Sequence, residues 1–201
     1  MRRVVVLAIL ALMVVSTAAW ADSIIIVNKG GLLSLSNAGI VSTASHLHQF
    51  NNITAGPGQG LGFVNFATGA LVSGSIQAGG TFSSSGSSFI VRSTSNQLPC
   101  HNCVIFNGTF TGDITWTLVS QNKGESEYQL SGTLVGQLWT GRTVTGSTTQ
   151  TVITFNQQLK QGVGHLTLGN TNLGTPEPSS LALLGTGLVG IGGFVRRRLI
   201  G

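Results

Sequence analysis

Between Phe106 and Leu118 the chain alternates without a break. Phe106, Gly108, Phe110, Gly112, Ile114, Trp116 and Leu118 fall on one parity, and Asn107, Thr109, Thr111, Asp113, Thr115 and Thr117 on the other. Successive side chains of a β-strand point to opposite faces, so this pattern specifies a strand with one apolar and one hydroxyl-rich face. The alternation resumes at Tyr128, Leu130, Gly132, Leu134, Gly136 and Leu138, after a Lys123-Gly124 turn. Thr140-Gly141-Arg142 turns the chain again, and Thr143 to Phe155 is a third β-prone run. Short connections of this kind join antiparallel neighbours, so the three runs predict a meander. The string Gly108-Thr-Phe-Thr-Gly112 is echoed at Gly132-Thr-Leu-Val-Gly136, as two strands of one hairpin under similar packing would be.

The first half is less regular. Ile24 to Val27, Leu61 to Phe66, Ala70 to Ile76 and Phe89 to Arg92 read as strands, and the Ser/Gly-rich stretch from Gly79 to Ser88 as a loop or exposed edge. No segment of the central region shows a helical apolar period. The expected fold class is all-β: an antiparallel β-sandwich or a related two-layer β fold, with a curled β-roll as the alternative.

The two ends differ in kind from the middle. Arg2-Arg3, the apolar run Val4 to Val15 and Ala19-Trp20-Ala21 have the order of a cleavable secretory signal peptide, residues 1–21, with Ala19 and Ala21 as the small cleavage-site residues. The mature chain then begins at Asp22, and residues 22–175 are the exported domain. At the other end Pro176-Glu177-Pro178 precedes an uncharged stretch from Ser179 to Val195, followed by Arg196, Arg197 and Arg198. The prolines keep the backbone extended. As a helix the 179–195 stretch would span roughly 26 Å at about 1.5 Å per residue, a little short of the ~30 Å hydrocarbon core. The arginines would hold its end on the cytoplasmic side.

The string Thr-Pro-Glu-Pro-Ser-Ser-Leu-Ala-Leu-Leu-Gly-Thr-Gly with its terminal arginine cluster closely resembles the PEP-CTERM sorting signal of Gram-negative bacteria. The resemblance covers residues 175–201 alone. It implies recognition by an exosortase, a membrane-embedded cysteine transpeptidase, with cleavage near Pro176, Glu177 and Pro178. Arg196, Arg197 and Arg198 would act as the membrane stop. It further implies export, passage through an inner-membrane intermediate, and arrival at the cell surface or in the extracellular matrix, where such proteins are often linked to exopolysaccharide and biofilm. It implies nothing about the fold of residues 22–175.

Charge separates these ends from the middle. Charged residues make up 7% of the chain, against about 25% in a typical soluble protein. The net charge of +5 invites a nucleic-acid reading. Between Asp22 and Thr175, however, five cations (Lys29, Arg92, Lys123, Arg142, Lys160) meet four carboxylates (Asp22, Asp113, Glu125, Glu127), a balance of +1. Phosphate binding needs clustered cations, so no nucleic-acid partner is expected.

Chemistry-bearing residues are few. Cys100 and Cys103, in Cys-His-Asn-Cys, are too few for a four-ligand zinc site and lack the βαβ setting of a redox motif. In an exported protein they predict a local disulfide. His46 and His48 share one side of an extended segment, but nothing in the sequence gathers them with His101 or His165, and they read as ordinary polar positions. Asp113, Glu125 and Glu127 do not converge on a titratable partner in the pattern, and no Gly-x-Ser-x-Gly elbow occurs. No cofactor, metal or catalytic residue is therefore expected. Trp116 and Tyr128 share parity with core aliphatics, whereas Trp139 falls on the other parity and is the candidate ligand contact. The function expected is a non-enzymatic structural protein of the extracellular matrix, or else a carbohydrate-binding module working in that matrix.

Overall fold

The alternating runs form long strands whose apolar parity points inward. In a computed structural model describing residues 23–174, Val104–Asn122 is one strand. Phe106, Phe110, Ile114 and Trp116 on it are buried, and Thr109, Thr111, Thr115 and Thr117 are exposed. In chain order the strands are β1 (Ser23–Lys29), β2 (Leu32–Ser36), β3 (Gly39–Phe50), β4 (Ile53–Thr54), β5 (Gly62–Ala67), β6 (Leu71–Ser75), β7 (Gly79–Phe82), β8 (Ser88–Ser93), β9 (Val104–Asn122), β10 (Glu125–Leu138), β11 (Thr143–Phe155) and β12 (Val163–Gly174). A five-residue helix, α1 (Asn156–Lys160), sits between the last two. Residues 23–174 form one compact unit. The expected signal peptide and sorting tail lie outside the described residues. Among the described residues no helix is long and apolar enough to cross a membrane.

The expected meander is present as β9–β10–β11, but the sheet does not split into two layers. Each barrel strand pairs antiparallel with the next, in the order β1, β3, β5, β8, β9, β10, β11, β12. β12 then pairs back onto β1 from Ser23↔Gly174 to Asn28↔Gly169. The sandwich expectation is corrected to a closed eight-stranded up-and-down barrel. Closure pairs both edges of the sheet with each other, which removes the unpaired edges a sandwich must protect.

Three additional strands lengthen barrel strands. β2 continues β1 without a change of register, since Asn28 faces Gly169 and Leu32, four residues on, faces His165. The break between them is at Gly30 and Gly31, where φ is +69° and +104°, opposite Ala44 at +56°. β6 and β7 form a hairpin beyond β5 and β8, and β7 pairs with the far half of β9 through Gly80↔Trp116 and Phe82↔Ile114. Gly79 to Ser88 is thus not wholly a loop. Its first four residues are a strand, and Phe82 is completely buried.

The barrel interior is filled mainly by aromatic and branched side chains. Phe89 packs against Phe66, Phe106 and Phe110 with ring centroids 6.0, 6.2 and 6.0 Å apart. Trp116 and Tyr128 stack at 4.6 Å under the β6–β7 turn, donating to the carbonyls of Ile76 and Gln77 at 2.9 and 2.7 Å. Eight strands leave an interior about wide enough for side chains to fill.

One stripe of the interior is polar. Asn28 Nδ2 donates to Ser45 Oγ (2.8 Å) and to Gln150 Oε1 (3.0 Å), while Gln150 Nε2 donates to Thr148 Oγ1 (2.7 Å). Thr148 in turn shares a 2.7 Å hydrogen bond with Thr171. All five residues are buried. Buried polar groups are costly unless paired, and this chain ties β1, β3, β11 and β12 together next to the closure. Gly169 leaves the room, because a Cβ there would collide with Gln150 Oε1 and the Asn28 amide.

Candidate functional site

The strand order brings both ends of the described chain to one rim of the barrel. Gly174, the last residue of β12, faces Ser23 on β1 and Thr145 on β11, and Leu173 beside it is completely buried. The closing strand is therefore held on both edges up to the residue before Thr175. Ala19, Ala21, Pro176, Glu177, Pro178 and Arg196–Arg198 lie outside the described residues.

The same rim carries the loops that follow β3, β8 and β10. In the turn after β10, the Trp139 amide donates to the Ile105 carbonyl (2.9 Å), and the indole packs edge-on to Phe50 with centroids 5.9 Å apart. Phe50 is 2% exposed and Trp139 37%. Part of the indole thus rests against the end of the core and the rest meets solvent. Trp116 and Tyr128, by contrast, are interior. Cys100 and Cys103 are bonded to each other, with Cα atoms 5.9 Å apart, in the β8–β9 loop, and both pack against the core. The Ser93 amide donates to the Cys103 carbonyl (2.8 Å), fastening that loop across its base.

The titratable residues are spread over the barrel. His46 is an exposed residue of β3, whereas His48 occupies a bulge, because Val27 faces Gln49 while the next residue, Asn28, faces Leu47. His101 is in the cysteine loop and His165 is on β12, edge-on to Phe155 at 6.4 Å. Asp113 is exposed on a bulge of β9, where Thr133 faces Thr111 but Ser131 faces Thr115. Gly112 in that bulge has φ +68° and is exposed, so it leaves the apolar face on which its parity placed it. β9 pairs with β7, β8 and β10, none of which carries a histidine. Glu127 accepts a 3.3 Å hydrogen bond from Ser120 at the β9–β10 hairpin. Among the described residues no three His, Cys, Asp or Glu side chains gather as a metal site. Desolvation by burial pushes the Tyr128 hydroxyl pKa above its usual value. Among the described residues no carboxylate, histidine and nucleophile side chains are brought together as an acid–base pair or an activated nucleophile.

The pairing also assembles residues that the linear reading kept apart. Lys29 faces His46, His46 faces Phe63, and Phe63 faces Arg92, one each from β1, β3, β5 and β8. In the linear sequence Lys29, His46, Phe63 and Arg92 stand far apart. The row depends on registers between strands that single-strand periodicity does not carry.

Searches among curated proteins and among solved structures find no match to the chain. Against protein-family models, residues 175–198 match the PEP-CTERM protein-sorting motif. The tail that follows the barrel's closing strand is thus a PEP-CTERM sorting motif, and the chain carries the mark of an exosortase-sorted extracellular protein.

Proposed function

We propose that this protein is a non-enzymatic structural component of the bacterial cell surface or extracellular matrix, exported as a barrel and released from its tail by an exosortase. The observation that carries the reading is the sorting motif at residues 175–198, starting one residue after the barrel's last strand. The scatter of the described carboxylates and imidazoles supports a non-catalytic role. In this reading residues 1–21 are removed on export, and the 179–195 stretch holds the chain in the inner membrane until processing, with Arg196, Arg197 and Arg198 on the cytoplasmic side.

The test is the mass and location of the mature protein in a host that has an exosortase. Replacing Pro176, Glu177 and Pro178 by Ala blocks processing while insertion continues. Replacing Arg196, Arg197 and Arg198 by Ser disturbs retention and orientation. A surface-exposed product that still contains Arg196–Arg198 would show the tail to be an anchor only.

A second reading, carbohydrate binding within the matrix, is favoured by two surface features. Trp139 is supported on Phe50 at the rim, and a cross-strand row joins Lys29, His46, Phe63 and Arg92.

A further inference from the structure

The exported domain has few charges, and they are unevenly placed on the barrel. Directly opposed residues of neighbouring strands share a face. Lys29, His46, Phe63 and Arg92 are opposed in succession, while Asn28, Leu47, Val64 and Val91 next to them are buried. The row therefore lies on the outer surface. Lys29, His46 and Arg92 are exposed, and Phe63 is half-buried. At about 4.8 Å per strand, the Lys29 and Arg92 backbones are roughly 14 Å apart. The two fixed cations bracket an aromatic pair, His46 and Phe63, with ring centroids 5.5 Å apart. Glycine backbone borders the imidazole on two sides: a Cβ on Gly30 would lie 3.9 Å from Cδ2, and one on Gly60 3.7 Å from Nδ1.

Among the described residues no carboxylate lies beside this row. Among the described residues, acids occur at Asp113, Glu125 and Glu127, on β9 and β10, and none on β1, β3, β5 or β8. Two of the five cations between Asp22 and Thr175 are thus concentrated, with a histidine, on one side of a nearly neutral barrel.

We infer that this row is a binding strip for an anionic polysaccharide bearing one carboxylate per sugar. The inference rests on the carbohydrate-binding reading and specifies its surface. Lys29 and Arg92 would meet carboxylates of well-separated sugars along one chain. The open ring of His46 and the Phe63 edge beside it would contact the apolar C–H face of a sugar between them. Complementary charge selects the class of polymer, and a neutral glycan lacks the groups that Lys29 and Arg92 address. Duplex DNA fits less well. It presents a charge every 1.7 Å or so and is bound by clustered cations, whereas this strip offers two fixed charges separated by aromatics.

The experiment is calorimetric titration of the full chain, in a mild non-ionic detergent, with polygalacturonate, dextran and duplex DNA. Polygalacturonate binds and weakens as salt is raised, dextran does not bind, and DNA binds more weakly than polygalacturonate. Replacing Lys29 and Arg92 together by Gln lowers polygalacturonate affinity about fivefold, the size expected for two exposed charge contacts. Replacing Lys123 and Lys160 by Gln removes the same net charge elsewhere and changes affinity less than about twofold. Phe63→Leu, which keeps an apolar side chain, also weakens binding. Equal losses from the two double variants, no loss from the Lys29/Arg92 pair, equal binding of dextran, or tighter binding of DNA each overturn the assignment. None of these results bears on exosortase processing, which the mass of the mature protein tests separately.

Discussion

Gly108 on β9 and Gly136 on β10 face each other directly, and the ring of Phe106 occupies the space that neither side chain takes. A Cβ on Gly108 would stand 2.5 Å from Phe106 Cζ, and one on Gly136 2.8 Å from Cε2. The five-residue echo in the sequence thus consists of two segments paired antiparallel across one ladder, each supplying a glycine to the same aromatic. Gly136→Val forces the ring and the Asn107 carbonyl aside and should cost several kcal/mol by chemical denaturation. Gly141→Ala, at a turn with φ +79° and no atom within 4 Å, should cost about 1 kcal/mol from backbone conformation alone.

Face assignment on β9 is tested by a neighbouring pair of substitutions. Ile114 is completely buried and Thr115 exposed. Ile114→Asp places a carboxylate in the barrel and should lower stability by several kcal/mol, or prevent folding. Thr115→Asp should cost less than about 1 kcal/mol. Equal damage from both, measured by urea unfolding, would contradict the inward direction of Ile114.

Tyr128 provides an optical pH test, since it is the single tyrosine of the chain. Burial raises its folded-state pKa above the unfolded value of about 10. A raised pKa means the fold disfavours phenolate. Its contribution to stability is fully present below pH 10 or so and is lost as pH rises through the folded value. Phenolate absorbance should titrate at higher pH in the folded protein than in denaturant. Tyr128→Phe should reduce the alkaline loss of stability, while costing about 1 kcal/mol at neutral pH for the hydrogen bond to Gln77.

The interior polar chain should be sensitive to partial removal. Gln150→Leu strips partners from Asn28 Nδ2 and Thr148 Oγ1 and leaves those groups buried. The expected loss is about 1–3 kcal/mol by thermal unfolding. A neutral result would mean the chain of hydrogen bonds contributes nothing beyond filling space.

The cysteine loop makes a chemical prediction. Protein isolated from the exported fraction without reductant should weigh two hydrogens less than the dithiol form and resist alkylation at Cys100 and Cys103. Free thiols in that sample would show that the bond of the folded structure does not form on export.

The strands legible in the sequence were those whose alternation is unbroken, above all β9 and β10. β3 was missed because bulges shift its parity twice, near Ala44 and at His48, so no single period runs through it. β2 was missed because it is five residues long and two glycines separate it from β1. β7 looked like a loop because Gly79 and Gly80 precede its one buried anchor, Phe82. Barrel and sandwich impose the same alternation on each strand. What separates them here is the β12–β1 ladder, formed by backbone groups from opposite ends of the domain. The cationic row was hidden for a similar reason, as its four members come from four strands. The sorting tail was fully legible, because its recognition depends on residue order rather than on tertiary pairing.

That ladder also sets an order of events. A chain that emerges amino end first presents β1 with one edge bare while β3 to β11 add to the other. No local hairpin can cover that edge, because its partner is the last strand before the tail. Ring closure is thus the most non-local step of the fold, the kind that makes β proteins slow to fold and liable to mispair. It becomes available only once residues 163–174 are present, and the sorting motif follows them directly in the chain. The strand that completes the barrel and the motif that marks it for sorting are therefore neighbours in the chain, and the one is made directly before the other.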